Sequence, residues 1–333
     1  MMKKTLIAMA VLAAAGTAAA QSSVTLYGRL DASLVSTTTK NYDGVKKYPD
    51  TKTGIESSQL STQFWGLQGT EDLGGGLKAI FKLESNFNID DGALDGSGMF
   101  AREANVGLMG GFGTVKLGRN YHAYDTFFGA VNHTDNTNIN VSSAVAGVGL
   151  GHYAVRASNS IRYESPDMSG FRIAATYGFG EDKTTTQSAN NQWSVAAWYG
   201  VGPLVVGYAH QTQEKAGSPN LKHDVIGAAY DFGPAKLVGS YQQAKQNTTK
   251  DKDWQLGVKV PVGAFAFYVG YADSESKNGV TKLNADGWAL LGTYALSKRT
   301  TAYAGYEKYK RDATTITDTT KYTNLAIGVR HTF

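Results

Sequence analysis

The sequence predicts an all-β chain, a single closed antiparallel barrel of sixteen membrane-crossing strands, and three observations carry that prediction. Apolar residues recur with period two from Ser23 to the last residue, with no helical segment of useful length. Short and long connections alternate strictly along the chain. The composition is 42% apolar and 18% charged, with 39 glycines, 19 tyrosines, 6 prolines and no cysteine in 333 residues, which suits glycine-relieved, aromatic-bounded strands. These figures exclude a disordered chain and a disulfide scaffold. They also exclude a bundle of membrane helices, because no stretch approaches the roughly 20 apolar residues that a spanning helix needs. The mean hydropathy of −0.28 suggests a water-soluble protein until the two faces of each strand are separated. If only alternate residues meet lipid, the average stays low.

Residues 1–20 read as a secretory signal peptide: Lys3 and Lys4, an apolar run from Leu6 to Ala15, and Ala18-Ala19-Ala20 before Gln21. The alternative, a buried amino-terminal helix, fits less well, since the pattern turns strand-like at once. The expected barrel domain is 21–333. Without Lys3 and Lys4 the 32 basic side chains become 30, against 28 acidic. That near balance, with no basic cluster, argues against nucleic acid as a partner.

The first strand alternates Val24, Leu26 and Leu30 with Thr25, Tyr27, Arg29 and Asp31. Later strands repeat the pattern: Leu77, Ala79, Phe81, Leu83; Phe171, Ile173, Ala175, Tyr177, Phe179; Trp254, Leu256, Val258, Val260; and, last, Leu325, Ile327, Val329. Tight turns fall at 71–75, 110–113, 167–170, 202–203, 233–234, 261–263 and 296–298. Between them lie longer polar stretches at 39–57, 88–98, 121–155, 181–191, 213–223, 246–252, 274–285 and 311–321. Seven turns and eight loops connect sixteen strands, with both termini at the short-turn end. That is the plan of a bacterial outer-membrane barrel. A soluble sandwich or propeller with so many hairpin-ordered strands would leave an edge unpaired, and in lipid closure is compulsory. Trp65, Trp193, Trp198, Trp254 and Trp288 fall near strand ends, as aromatic girdles require.

Several segments together resemble the general porins of Gram-negative outer membranes, in particular the beta-proteobacterial type. They are Thr25-Leu26-Tyr27-Gly28, the turn Gly69-Thr70-Glu71-Asp72-Leu73-Gly74-Gly75-Gly76-Leu77-Lys78-Ala79, Arg102-Glu103-Ala104 with Val106-Gly107-Leu108, and Gly113-Thr114-Val115-Lys116-Leu117-Gly118-Arg119. Two more are Asn159-Ser160-Ile161-Arg162-Tyr163-Glu164-Ser165-Pro166 and the ending Gly328-Val329-Arg330-His331-Thr332-Phe333. The resemblance covers essentially the whole mature chain. It implies a homotrimer of sixteen-stranded barrels in the outer membrane, in contact with its lipid and lipopolysaccharide. Each barrel would be a water-filled pore for small hydrophilic solutes and ions, narrowed by an inward-folded third loop, here 121–155. No cofactor is implied.

In such pores a basic wall faces acids on the third loop, and charged walls at a narrow point set ion preference. Carried over residue by residue, the resemblance places Arg29, Arg102 and Arg156 on the basic wall, with Lys82 on the lumen face by parity and Glu84 beside it offsetting the field. Phe64 and Gln68 occupy lumen positions, the former often arginine in relatives. Asp125 and Asp135 are the candidate loop acids, although the loop lacks an acidic tip of the Pro-Glu-Phe-Gly-Gly type. Three wall arginines against two acids predict a weak anion preference. Arg119 reads instead as a latch for a neighbouring loop or a subunit contact. The terminal Phe333, with apolar residues alternating upstream, resembles the signal read by the barrel-assembly machinery through strand addition.

Asp90, Asp91 and Asp95 have oxygen ligands suited to Ca²⁺ but fit a solvated acidic loop better, so no metal is expected. A barrel enzyme would need a nucleophile or an activated water with paired acid and base groups, whereas the six histidines are scattered and no Gly-x-Ser-x-Gly occurs. A substrate-specific channel remains an alternative, because Tyr27 and Phe64 could begin an aromatic ramp for sugars, and an adhesin is a more distant one.

Overall fold

The structure, a computed structural model, describes residues 23–43, 49–96, 98–132, 138–313 and 318–333. The predicted leader, 1–20, lies outside the described residues, as does Asp135. Seventeen strands form one sheet: β1 (Ser23–Asp43), β2 (Asp50–Ser57), β3 (Phe64–Gly74), β4 (Leu77–Ser85), β5 (Glu103–Gly110), β6 (Gly113–Tyr121), β7 (Arg156–Glu164), β8 (Phe171–Gly178) and β9 (Gln192–Val201). The remainder are β10 (Leu204–Lys215), β11 (Ser218–Asp231), β12 (Lys236–Gln246), β13 (Thr249–Val262), β14 (Phe265–Asn278), β15 (Thr281–Ala295), β16 (Thr300–Ala313) and β17 (Asp318–Thr332). Helices α1 (Ala123–Ala130) and α2 (Val141–Val145) lie between β6 and β7.

β1 pairs with β17 along one edge and with both β2 and β3 along the other, so the sheet closes on itself. β2 and β3 are two halves of one stave, interrupted at residues 58–63, and the barrel therefore has sixteen staves. Phe333 completes the seam: its N–H donates to Gly28 O at 3.1 Å and its carbonyl accepts from Gly28 N at 3.2 Å. Every neighbouring pair is antiparallel, which satisfies the backbone within the wall and leaves no edge for lipid to meet.

Alternation sorts the faces as the pattern requires. Val269, Leu256 and Ile327 are more than half exposed on the outside, whereas Ala272, Gln255 and Asn324 are buried on the inside. The outer face carries aromatic pairs at two levels, Trp254 with Tyr271 and Trp288 with Tyr306 at one, Tyr230 with Phe232 and Phe265 with Tyr294 at the other. Trp198 departs from the expected girdle. Its parity on β9 matches buried Ser194 and Ala196, and it packs inward against α1.

Five predicted loops are strand for most of their length, 39–57 and 311–321 among them. β10 to β15 run on to tips at 216–217, 247–248 and 279–280, so that 213–223, 246–252 and 274–285 are hairpins rather than irregular segments. A strand that leaves the membrane loses its apolar face while keeping its ladder of hydrogen bonds, so its composition is that of a loop.

Residues 122–132 and 138–155 fold into the barrel. Tyr124, Phe127 and Phe128 of α1 recur at helical spacing and pack with Val131 on Ala174, Ala196, Ala209 and Val225 of the wall. Ile139, Val141 and Val145 pack on Ala272, Ala285, Ala289 and Tyr303. The wall beneath these side chains is thus small and apolar. Gly227 and Gly305 lie directly under Val131 and Ile139, where an added Cβ would collide with those side chains.

Candidate functional site

The inward segment is anchored at its start, in its middle and near its end. At its start, His122 Nδ1 and Ala123 N each lie 2.9 Å from Ser194 Oγ, and burial holds the imidazole down to about 4, so it is neutral. In its middle, Asn138 N and Ile139 N donate to Leu60 O and Gln59 O at 3.1 and 3.0 Å. Residues 58–63 are themselves held by Asp31, which accepts from Leu60 N at 2.9 Å, Ser61 N at 2.6 Å and Tyr303 Oη at 2.5 Å. Asn140 caps α2 by accepting from Ser142 N at 3.0 Å. Near its end, Asp251 accepts from Gly149 N at 3.1 Å and Leu150 N at 2.6 Å, and Asp253 from Gly147 N at 3.3 Å.

Opposite this segment, Arg29 of β1, Arg102 just before β5 and Arg156 at the start of β7 line one lumen cavity of about 750 Å³. They come from staves far apart in sequence, and the register of the sheet brings them together. Two aromatic rings stand between the three cations. Phe64 has Arg29 at 5.1 Å from its ring centre and Arg102 at 4.6 Å. Tyr121 accepts from Arg102 Nη2 at 2.7 Å and Arg156 Nη2 at 2.5 Å, and its ring lies 4.3 Å from the Arg156 guanidinium. Each such ring contact contributes about 0.5–2 kcal/mol, which offsets the repulsion of like charges held in one row.

Asp125 of α1 faces this row across the cavity, half-buried, accepting from Tyr153 Oη at 2.9 Å. Burial pushes its carboxyl up to about 6, against the opposing pull of Tyr153 and of Arg156, Arg162 and Arg102. Glu84 is buried and accepts from Arg102 Nε at 3.1 Å and Tyr27 Oη at 2.7 Å, with Lys82 Nζ at 3.2 Å. Lys82 does not join the arginines. Two residues from Glu84 towards the short-turn end of β4, it is drawn to Glu84 and to Glu103 at 2.9 Å, and lines a separate cavity of about 290 Å³ with Gln68, Asn105 and Lys116. Arg119 donates to Ala101 O at 2.6 Å and Ser158 Oγ at 2.7 Å, the latch geometry expected of it. Among the described residues no group of three or more His, Cys, Asp or Glu is placed to hold a metal ion.

Sequence reasoning missed Arg162. It faces inward on β7, buried, and donates to Glu164 Oε1 at 2.6 Å, Tyr121 O at 2.7 Å and Thr126 Oγ1 at 2.9 Å, tying the wall to α1. Its parity with Ser160 was the available signal. Tyr121 was missed because it belongs at once to the end of a strand and the start of the long loop.

A closed membrane barrel with a polar lumen, narrowed from within by a segment of its own chain, is a diffusion channel. The chain belongs to the Gram-negative porins: residues 5–314 match the family so described. Outer membrane porin protein 32 of Delftia acidovorans is 35% identical over the whole of both chains, and an outer membrane porin protein of Bordetella pertussis is 30% identical over the whole of both. Among solved structures, an anion-selective porin from Comamonas acidovorans superposes with a TM-score of 0.77 at 29% identity, covering 94% of this chain and 100% of the other. The protein is a porin of the bacterial outer membrane.

Proposed function

We propose that this porin is a general diffusion channel with a weak anion preference, and that Arg29, Arg102 and Arg156 set that preference. The convergence of the three guanidinium groups on one lumen cavity carries the reading. The acids nearest to them weaken the field without cancelling it, since Glu84 pairs with Arg102 and Lys82 while Asp125, held by Tyr153, is the acid that the described part of the facing segment brings to the cavity. Low-dielectric walls concentrate the remaining positive potential where the lumen narrows. The anion selectivity of the Comamonas porin named above is in keeping with it.

A sugar-specific channel fits less well. Both aromatic residues that could start a stacking ramp are already engaged, Phe64 between two guanidinium groups and Tyr27 by Glu84 and Lys82. The channel acts by passive passage, without chemistry on its solutes. Residues 1–20 direct export and are removed. Three copies assemble, as the family resemblance implies, in contact with outer-membrane lipid and lipopolysaccharide. The barrel-assembly machinery engages the final strand through Phe333, whose place at the β1 seam suits strand addition.

Reversal potentials under a KCl gradient test the selectivity. Wild type should favour chloride, and Arg102→Ala should move the ratio towards potassium severalfold, because Glu84 then loses a cation partner as well. An unchanged reversal potential in Arg102→Ala would remove that residue from the selectivity wall.

A further inference from the structure

Above the aromatic level, the outer face of the long staves turns from apolar to charged. Along β14 the outward positions run Val269, Tyr271, Asp273, Glu275 and Lys277. At the level of Lys277 the register brings five lysines into one unbroken row across β11 to β15. Lys222 is the direct partner of Lys245, Lys245 of Lys250, Lys250 of Lys277, and Lys277 of Lys282. All five share the parity of the outward apolar residues on their own strands.

Like charges directly opposite one another destabilise a sheet. Glu275 relieves part of this row, lying 2.7 Å from Lys277 Nζ and 2.5 Å from Lys282 Nζ. Among the described residues, no carboxylate pairs with Lys222, Lys245 or Lys250. Four consecutive like-charge pairs are therefore a feature that the isolated barrel does not need and that a polyanion would complete.

Height selects the polyanion. Three outward steps separate Tyr271 from Lys277, about 20 Å along a strand and about 15 Å along the membrane normal at the usual barrel tilt. Phosphates of an ordinary phospholipid lie at the aromatic level, too low to reach the row. Phosphates carried on the saccharide of an outer-leaflet glycolipid stand at the right height, and in the outer membrane that lipid would meet the apolar surface continuous with the row.

We propose that the row Lys222, Lys245, Lys250, Lys277 and Lys282 binds the phosphorylated saccharide of the outer-leaflet glycolipid. The proposal rests on the outer-membrane setting and gives the expected lipid contact a defined site. It is independent of the lumen arginines, so channel currents recorded in parallel separate its failure from failure of the selectivity reading.

The test titrates the purified barrel in zwitterionic detergent with three probes: truncated-core lipopolysaccharide bearing its saccharide phosphates, the same material after dephosphorylation, and lipid A alone. Native mass spectrometry reads the affinities. The phosphorylated saccharide should bind tightest, and K245Q/K250Q/K277Q should lose on the order of 100-fold of that affinity. Thermal melting adds a readout of opposite signs. Freed of repulsion, the triple variant should melt above wild type without lipid and below it with the phosphorylated glycolipid. If the triple variant does not refold, Lys250→Gln alone should show the same two signs with a smaller loss. Equal binding of phosphorylated and dephosphorylated lipid, or lipid A binding as tightly as the longer saccharide, would each overturn the proposal.

Discussion

Two opposite stretches of the inner wall carry charge in contrasting ways. On β1 and from β3 to β7, Arg29, Arg102 and Arg156 line the lumen cavity, Arg102 buried beside Glu84, and the rings of Phe64 and Tyr121 hold them in a row. On β13 the inward charged side chains beneath the segment are acids, Asp251 and Asp253, and the segment covers both. Their carboxylates accept backbone N–H groups of a glycine-containing run, which satisfies donors that would otherwise be buried without partners. Acids that anchor the segment are thereby withdrawn from the pore, and the arginines opposite dominate its field. Charge sign on a lumen-facing residue is therefore a poor guide to selectivity until it is known what covers it.

The sharpest break of this contrast removes the anchors. Asp251→Ala with Asp253→Ala leaves three backbone donors without acceptors, at a cost of about 1–3 kcal/mol for each buried N–H. The segment near Gly147 to Leu150 should detach, and single-channel recordings should show a larger, noisier conductance. A quiet trace of wild-type amplitude would show that the apolar packing of Val141 and Val145 holds the segment without the acids.

A smaller effect comes from Asp125, the acid that the described part of the inward segment turns towards the arginines. Since burial pushes Asp125 up to about 6, its carboxyl is mostly charged one to two pH units above that midpoint and mostly neutral one unit below it. Protonation removes negative charge opposite three cations, so anion preference should rise as pH falls through about 6. Asp125→Asn should hold the low-pH preference on both sides of the midpoint. A pH step that survives in Asp125→Asn would assign the titration to another group.

The smallest predicted effect tests the ring between the arginines. Phe64→Leu keeps apolar bulk but removes two contacts worth about 0.5–2 kcal/mol each. Arg29 and Arg102 should splay, lowering the anion preference roughly twofold in reversal-potential measurements, a change of about 0.4 kcal/mol. Phe64→Trp keeps a ring face and should restore it. Equal selectivity in Phe64→Leu and wild type would reduce the ring to filler.

Much of this was legible before any coordinates. Arg29, Arg102 and Arg156 could be marked as wall residues because the family resemblance is carried by short motifs that travel with the strand bearing each of them. Lys82 could not be resolved, since its lumen parity is correct and only the three-dimensional positions of Glu84 and Glu103 draw it away from the arginines. Trp198 misled for a similar reason: a tryptophan near a strand end reads as girdle until a helix is found packed against its inner side. The tips at 247–248 and 279–280 were hidden because a hydrated strand and a loop share a composition.

Alternation, turn spacing and closure by hairpins are local properties, repeated along the chain, so the sequence by itself determined a sixteen-stave barrel with one face for lipid and one for water. Which inward residues meet depends on register around a closed sheet and on where residues 122–155 lie across it. Those are long-range relations with no local signature. Only the tertiary structure decided that three arginines share a cavity, that two aspartates are covered, and that five lysines stand side by side.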